Sequence, residues 1–148
     1  VTLPLRDKEV VGYLRLPDKQ PAPLIIHWGG IDNWKEERHS FVESILAEGW
    51  GCFIMDSPGT GESPVPASDT AHEVYSIALD HLVTRPEVDP ARIAALGASF
   101  GGYWSTKMAH AEPERLCAVV NWGGGTHGFF QPEWQQRSRW SRPSRHAV

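Results

Sequence analysis

The chain has 148 residues, 41% of them hydrophobic and 22% charged, the make-up of one soluble globular domain with room for a core. Its net charge of −4 is uneven: residues 1–136 hold all 18 acids but only 10 of the 14 lysines and arginines, a net of −8. No apolar run approaches the ~18 residues of a membrane span, and no charged-then-apolar signal segment opens the chain.

In chain order, "VTLPL" (1–5) and "EVVGYLRLP" (9–17) alternate as two strands of an antiparallel start. "PLIIHWGG" (23–30) is a short buried-strand run ending in glycines. The spacing predicts a helix over 33–49, with Asn33 and Glu36 as a capping box, Phe41, Val42, Ile45 and Leu46 on one face, and Gly49 as the stop. "WGCFIMD" (50–56) is the next buried strand, and "SPGTGESPVPAS" (57–68) has the chemistry of a loop. A second helix is expected over 70–86, capped by Thr70 with Glu73, with Val74, Ile77, Ala78 and His81 on one face and Pro86 at its end. "RIAALGA" (92–98) reads as a strand, 100–111 as a helix stopped before Pro113, and "LCAVVNWGG" (116–124) as a strand. Residues 137–148, "RSRWSRPSRHAV", carry four arginines and no acid. They lack apolar periodicity and read as a disordered Arg/Ser-rich tail rather than a nucleic-acid arm. Cys52 and Cys117 both lie in apolar runs, where cysteine acts as a small buried hydrophobe. Two such residues give no disulfide framework, and a cytoplasmic location is expected.

Strands that alternate with helices after an antiparallel start imply an α/β domain over 1–136, a mostly parallel sheet with helices on both faces. Ligands of such sheets bind at the carboxyl ends of the strands. Ser99 stands at one of these ends, within Gly97-Ala98-Ser99-Phe100-Gly101-Gly102. G-x-S-x-G between a strand and a helix is the setting of a nucleophile elbow. The turn leaves no room for side chains two positions before or after the serine, so Gly97 and Gly101 flank it and Gly102 lets the next turn pack closely. The serine is held out at a helix N-terminus, and the Phe100 N–H points to where an oxyanion would form. The glycine pair of "HWGG" (27–30) lets a second N–H approach a substrate carbonyl, that of Gly30 or Ile31. "DSPGTGES" (56–63) lacks the lysine of a phosphate loop, so it is expected to shape the loop beside the site, with Asp56 as a structural acceptor.

"HWGG", "DSPGTGES", "VDPARIAALGASFGG" and "VVNWGGG" together resemble the α/β-hydrolase superfamily, within it the FrsA-like and dihydropseudooxynicotine-hydrolase-like esterases and carbon–carbon hydrolases. The resemblance covers about residues 9–130. It implies Ser99 as nucleophile and the Phe100 and Gly30 or Ile31 N–H groups as oxyanion hole. It also implies a strand order 2-4-3-5-6 in family numbering. Family members continue with two more strand–helix units that bring an acid and then the catalytic histidine. The sequence ends before both and lacks the helical segment that precedes the first strand in these relatives, so a core without the last two strand–helix units is expected.

A serine needs a base. Of seven histidines, His39, His72, His81 and His110 fall on expected helices, and His146 in the tail. His27 and His127 lie at the correct edge of the sheet. His127, between glycines after the last strand, is the preferred substitute base, and His27 is expected to support the loop. Glu133 or Asp56 would orient a histidine, with nothing in the spacing to choose between them. An open sheet edge invites pairing with another chain, so a homodimer or larger assembly is expected, with the second chain as an alternative source of the base. Two readings follow. One is a small serine carboxylesterase acting on small-molecule esters through an acyl-enzyme. The other is a catalytically impaired piece used for assembly or binding; carbon–carbon hydrolysis would need the same serine. No metal-ligand spacing and no dinucleotide fingerprint is present, so neither a metal nor another cofactor is expected.

Overall fold

In a computed structural model, residues 1–126, 128 and 131–137 are described. His127, Phe129, Phe130 and the tail from residue 138 onward lie outside them. The strands are β1 (Thr2–Leu5), β2 (Lys8–Arg15), β3 (Ala22–Trp28), β4 (Gly51–Met55), β5 (Val88–Ala98) and β6 (Ala118–Trp122). The helices are α1 (His39–Ala47), α2 (Glu73–Leu82), α3 (Phe100–Ala111) and a short α4 (Pro132–Arg137). One six-stranded sheet runs β1-β2-β4-β3-β5-β6. β1 and β2 are antiparallel to each other, and β2 is antiparallel to β4. The β3–β4, β3–β5 and β5–β6 pairs are parallel. This is the order that the family resemblance implies.

β3 and β4 are near-continuous apolar runs because both of their faces are covered. On one face Leu24, Ile26, Phe53 and Ile93 pack with Tyr75 and Leu79 of α2 and Trp104 and Met108 of α3. On the other, Cys52 and Ile54 pack with Val42, Ile45 and Leu46 of α1. Burial pushes the Cys52 thiol pKa up to about 12, so it is an inert core group.

Several boundaries move for tertiary reasons. The first helix does not start at Asn33. Residues Lys35–Arg38 form a 3-10 turn and the α-helix begins at His39. The expected Asn33–Glu36 capping box is not formed: Asn33 Oδ1 accepts from Arg38 Nη2 at 2.9 Å, and Glu37 rather than Glu36 accepts the Trp34 N–H. Glu36 is taken up by Tyr13 and Lys35. Gly49, with φ at +79°, ends the segment as expected, its N–H donating to Leu46 O. α2 starts at Glu73, not Thr70, because the Glu73 carboxylate pairs with Arg6 at 2.7 Å instead of capping. α2 ends at Leu82, short of the expected stop at Pro86. Its buried stripe is Val74, Tyr75, Ala78, Leu79 and Leu82, rotated from the expected Ile77 and His81, which stay half-buried. The sheet selects the larger side chains. β5 starts at Val88, where Val88 pairs with Ala22 before a register shift. Cys117 is exposed rather than buried, because the chain reaches β6 only at Ala118.

Candidate active site

Ser99 sits between β5 and α3 with φ +54° and ψ −121°, a conformation that a side-chain-bearing residue adopts only under constraint. The constraints are visible. The Ser99 N–H donates to Trp122 O of β6 at 2.9 Å, and the Gly102 N–H donates to Ser99 O at 2.8 Å. A Cβ on Gly97 would stand 1.9 Å from Gly101 O. One on Gly101 would meet Gly29 O at 2.6 Å, and one on Gly102 would meet Asn121 Oδ1 at 2.3 Å. All three glycines of the elbow are therefore required by close approach, and the serine is left exposed above the sheet.

The strand ends beside it converge. A Cβ on Gly30 would lie 3.3 Å from Ser99 Oγ, so the backbone of Gly30 lies against the serine; Ile31 follows, 67% exposed. Phe100 opens α3 directly after Ser99. The structure thus brings Ser99, Gly30 and Phe100 together, with Ile31 as the next residue of the same loop. A shallow apolar recess of about 240 Å³, lined by Ala67, Ser68, Phe100, Tyr103 and Trp104, adjoins them. A larger cleft of about 480 Å³ lies across β2, β4 and α1, lined by residues such as Tyr13, Glu36 and Ile54, and has no residue of the elbow in its wall. Of these two, the smaller recess is the one that shares a residue, Phe100, with the elbow.

His27 is buried. Its Nδ1 is 2.9 Å from Leu96 O and its ring packs on Phe41 of α1, 4.3 Å between centroids. Burial lowers its pKa to about 4, so the ring is neutral and Nδ1–H donates to the Leu96 carbonyl. It ties β3 to β5 and α1 as a support. His127 lies outside the described residues. Glu133 is exposed in α4.

Asp56 is the buried acceptor that the sequence suggests, and its partners are specific. Oδ1 accepts the Lys35 N–H at 2.9 Å, and Oδ2 accepts Lys35 Nζ at 2.9 Å and the Glu62 N–H at 3.0 Å. Gly61 is required there: a Cβ would stand 2.2 Å from Asp56 Oδ2. Lys35 Nζ is wholly buried and also reaches Glu62 at 2.6 Å and Glu36 at 2.9 Å. Burial alone would lower its pKa, but the hydrogen bonds it donates to Glu62, Asp56 and Glu36 outweigh it and hold the ammonium above its ordinary value. Sequence reasoning missed three supports: Lys35, Ser57 and Trp28. Trp28 Nε1 donates to Gly101 O at 2.7 Å under the elbow, and its ring stacks on Tyr75. The signal for Lys35 was a lysine two residues past Asn33 in a segment too polar for a core helix; for Ser57, a hydroxyl at a strand end.

A family model described as Esterase FrsA-like matches residues 1–139. The chain belongs to the FrsA-like esterase family. Among its relatives, the 2,6-dihydropseudooxynicotine hydrolase of Paenarthrobacter nicotinovorans is 36% identical over 117 residues, 76% of this chain and 31% of that protein. Esterase FrsA of Klebsiella pneumoniae subsp. pneumoniae is 29% identical over 124 residues, 82% of this chain and 30% of that protein. The crystal structure of the 2,6-dihydroxy-pseudo-oxynicotine hydrolase is similar at a TM-score of 0.84 and 27% identity, covering 95% of this chain and 40% of that one. This FrsA-like chain has the α/β-hydrolase fold and spans about a third of the length of the curated relatives it matches. Among the described residues, no helix is long and apolar enough to cross a membrane.

Proposed function

We propose that the chain carries the serine half of a carboxylesterase site for small esters. Ser99 Oγ attacks the ester carbonyl as its proton passes to a base. The Phe100 N–H and that of Gly30 or Ile31 receive the oxyanion. The alcohol leaves with that proton, and water then releases the acid from the acyl-serine. The observation that carries the reading is the strained Ser99 conformation, fixed on both sides and laid against Gly30. His127 is the base in this reading, from its place between glycines after β6. An oxyanion hole without a full triad still leaves about 10³-fold or more over water in a known protease, so a weak esterase is chemically sufficient.

The test is hydrolysis of 4-nitrophenyl butyrate by the parent, Ser99→Ala and His127→Ala, purified alike. Turnover that falls to background in Ser99→Ala supports the reading, and equal slow rates in the parent and Ser99→Ala sink it. Loss in His127→Ala assigns the base. Retention there moves the base to a second copy paired along β6, whose Val120 and Trp122 are 45% and 59% exposed. Light scattering at micromolar concentration checks that assembly, and a monomer removes it.

A further inference from the structure

We propose that the consecutive residues Asp56 and Ser57, at the carboxyl end of β4, are positioning residues for the oxyanion-binding backbone; this rests on the serine-hydrolase reading above. The segment 29–35 carries Gly30 and Ile31. It is gripped at both ends by this pair. At one end the Ser57 hydroxyl donates to Gly29 O at 2.9 Å; at the other, Asp56 Oδ1 accepts the Lys35 N–H at 2.9 Å. Both side chains are buried, so both bonds are shielded from solvent.

The register makes this possible. β3 and β4 run parallel with His27 opposite Ile54, which brings residues 56 and 57 level with the glycines that follow β3. Because the peptide is planar and trans, fixing the Gly29 carbonyl also fixes the Gly30 N–H on its opposite side. Tyr75 OH lies 3.5 Å from Ser57 Oγ and donates to it, which leaves the Ser57 hydrogen for Gly29. A Cβ on Gly30 would stand only 3.1 Å from Ser99 Cβ, so this backbone runs close beside the serine, and slack of a few tenths of an ångström in the segment changes the donor geometry directly. A stability role alone accounts poorly for the pair. Buried ions add little net stability over apolar groups of the same size, yet here an ammonium and a carboxylate are buried at a loop, not in the core.

The experiment compares Ser57→Ala, Ser57→Thr and a control, Leu82→Ala, which damages the α2 core far from the site. Each is assayed with 4-nitrophenyl butyrate and titrated with butylboronic acid, which forms a tetrahedral adduct on serine. Amide exchange at Gly30 and Ile31 is followed by NMR. The expected result for Ser57→Ala is a ten- to hundredfold fall in kcat with KM within about twofold, a similar loss of boronate affinity, and faster exchange confined to the 29–35 segment. Ser57→Thr, which keeps the hydroxyl, restores most of both, and Leu82→Ala, assayed where it is folded, keeps the parent kcat. Parent-like kcat, boronate affinity and exchange in Ser57→Ala overturn the proposal, as does a loss that Leu82→Ala reproduces. A parent that neither turns over ester nor binds boronate through Ser99 overturns the serine reading instead, and the exchange data then decide the positioning role by themselves.

Discussion

The carboxyl ends of β3, β4 and β5 contrast with β6. At the first, backbone and side chains are tied several times over: Trp28 to Gly101, Ser57 to Gly29, Asp56 to Lys35 and Glu62. At the second, an edge strand presents Val120 and Trp122 to solvent, and its inner neighbour Val119 is only half-buried. The difference teaches where the fold spends specificity. Buried polar groups that must all be satisfied fix geometry to a fraction of an ångström, whereas an edge strand fixes only register.

The contrast is broken most severely at Lys35. Lys35→Met leaves Asp56 buried without its cation, and a loss of about 4 kcal/mol is expected in urea unfolding; Lys35→Met with Asp56→Asn recovers part of it. His27 gives the next largest effect. Its folded pKa of about 4 lies below the ordinary 6.5. As pH falls through this window the unfolded chain takes up a proton that the folded chain refuses, so stability declines from pH 6.5 to about 4 and no further from this group. The loss amounts to about 3 kcal/mol, and His27→Gln flattens that part of the profile. Ser99→Gly sharpens the contrast in the opposite sense: glycine accepts φ +54° without strain, so the thermal midpoint rises by the equivalent of about 1 kcal/mol while hydrolysis disappears. Smallest is Trp122→Ser on the open edge, expected to stay within about 0.5 kcal/mol of the parent. A loss there as large as that of Lys35→Met would show that the rim is covered in solution.

How much of this was legible in the sequence follows the same division. The strand–helix alternation and the elbow glycines follow from local patterns and from motifs with fixed spacing, while the sheet order came only with the family resemblance. The start of α1 was not legible, because residues 33–38 answer to Asp56, about twenty residues further along the chain, rather than to their own helical spacing. The face of α2 turned because Tyr75 stacks on Trp28, a contact that no window of neighbouring residues contains. Trp28 itself read as an apolar strand residue, since its indole bond to Gly101 depends on β3 and β5 lying side by side. Short-range signals name Ser99 and its glycines, and long-range pairing names what holds them still.

The bond from the Ser99 N–H to Trp122 O has a mechanical side. This bond ties the serine to β6, which among the described residues pairs with β5 alone. Fraying of that strand does not stop at the border of the sheet; it reaches Ser99 in a single link, and whatever clamps β6 from outside tightens the seat of that serine.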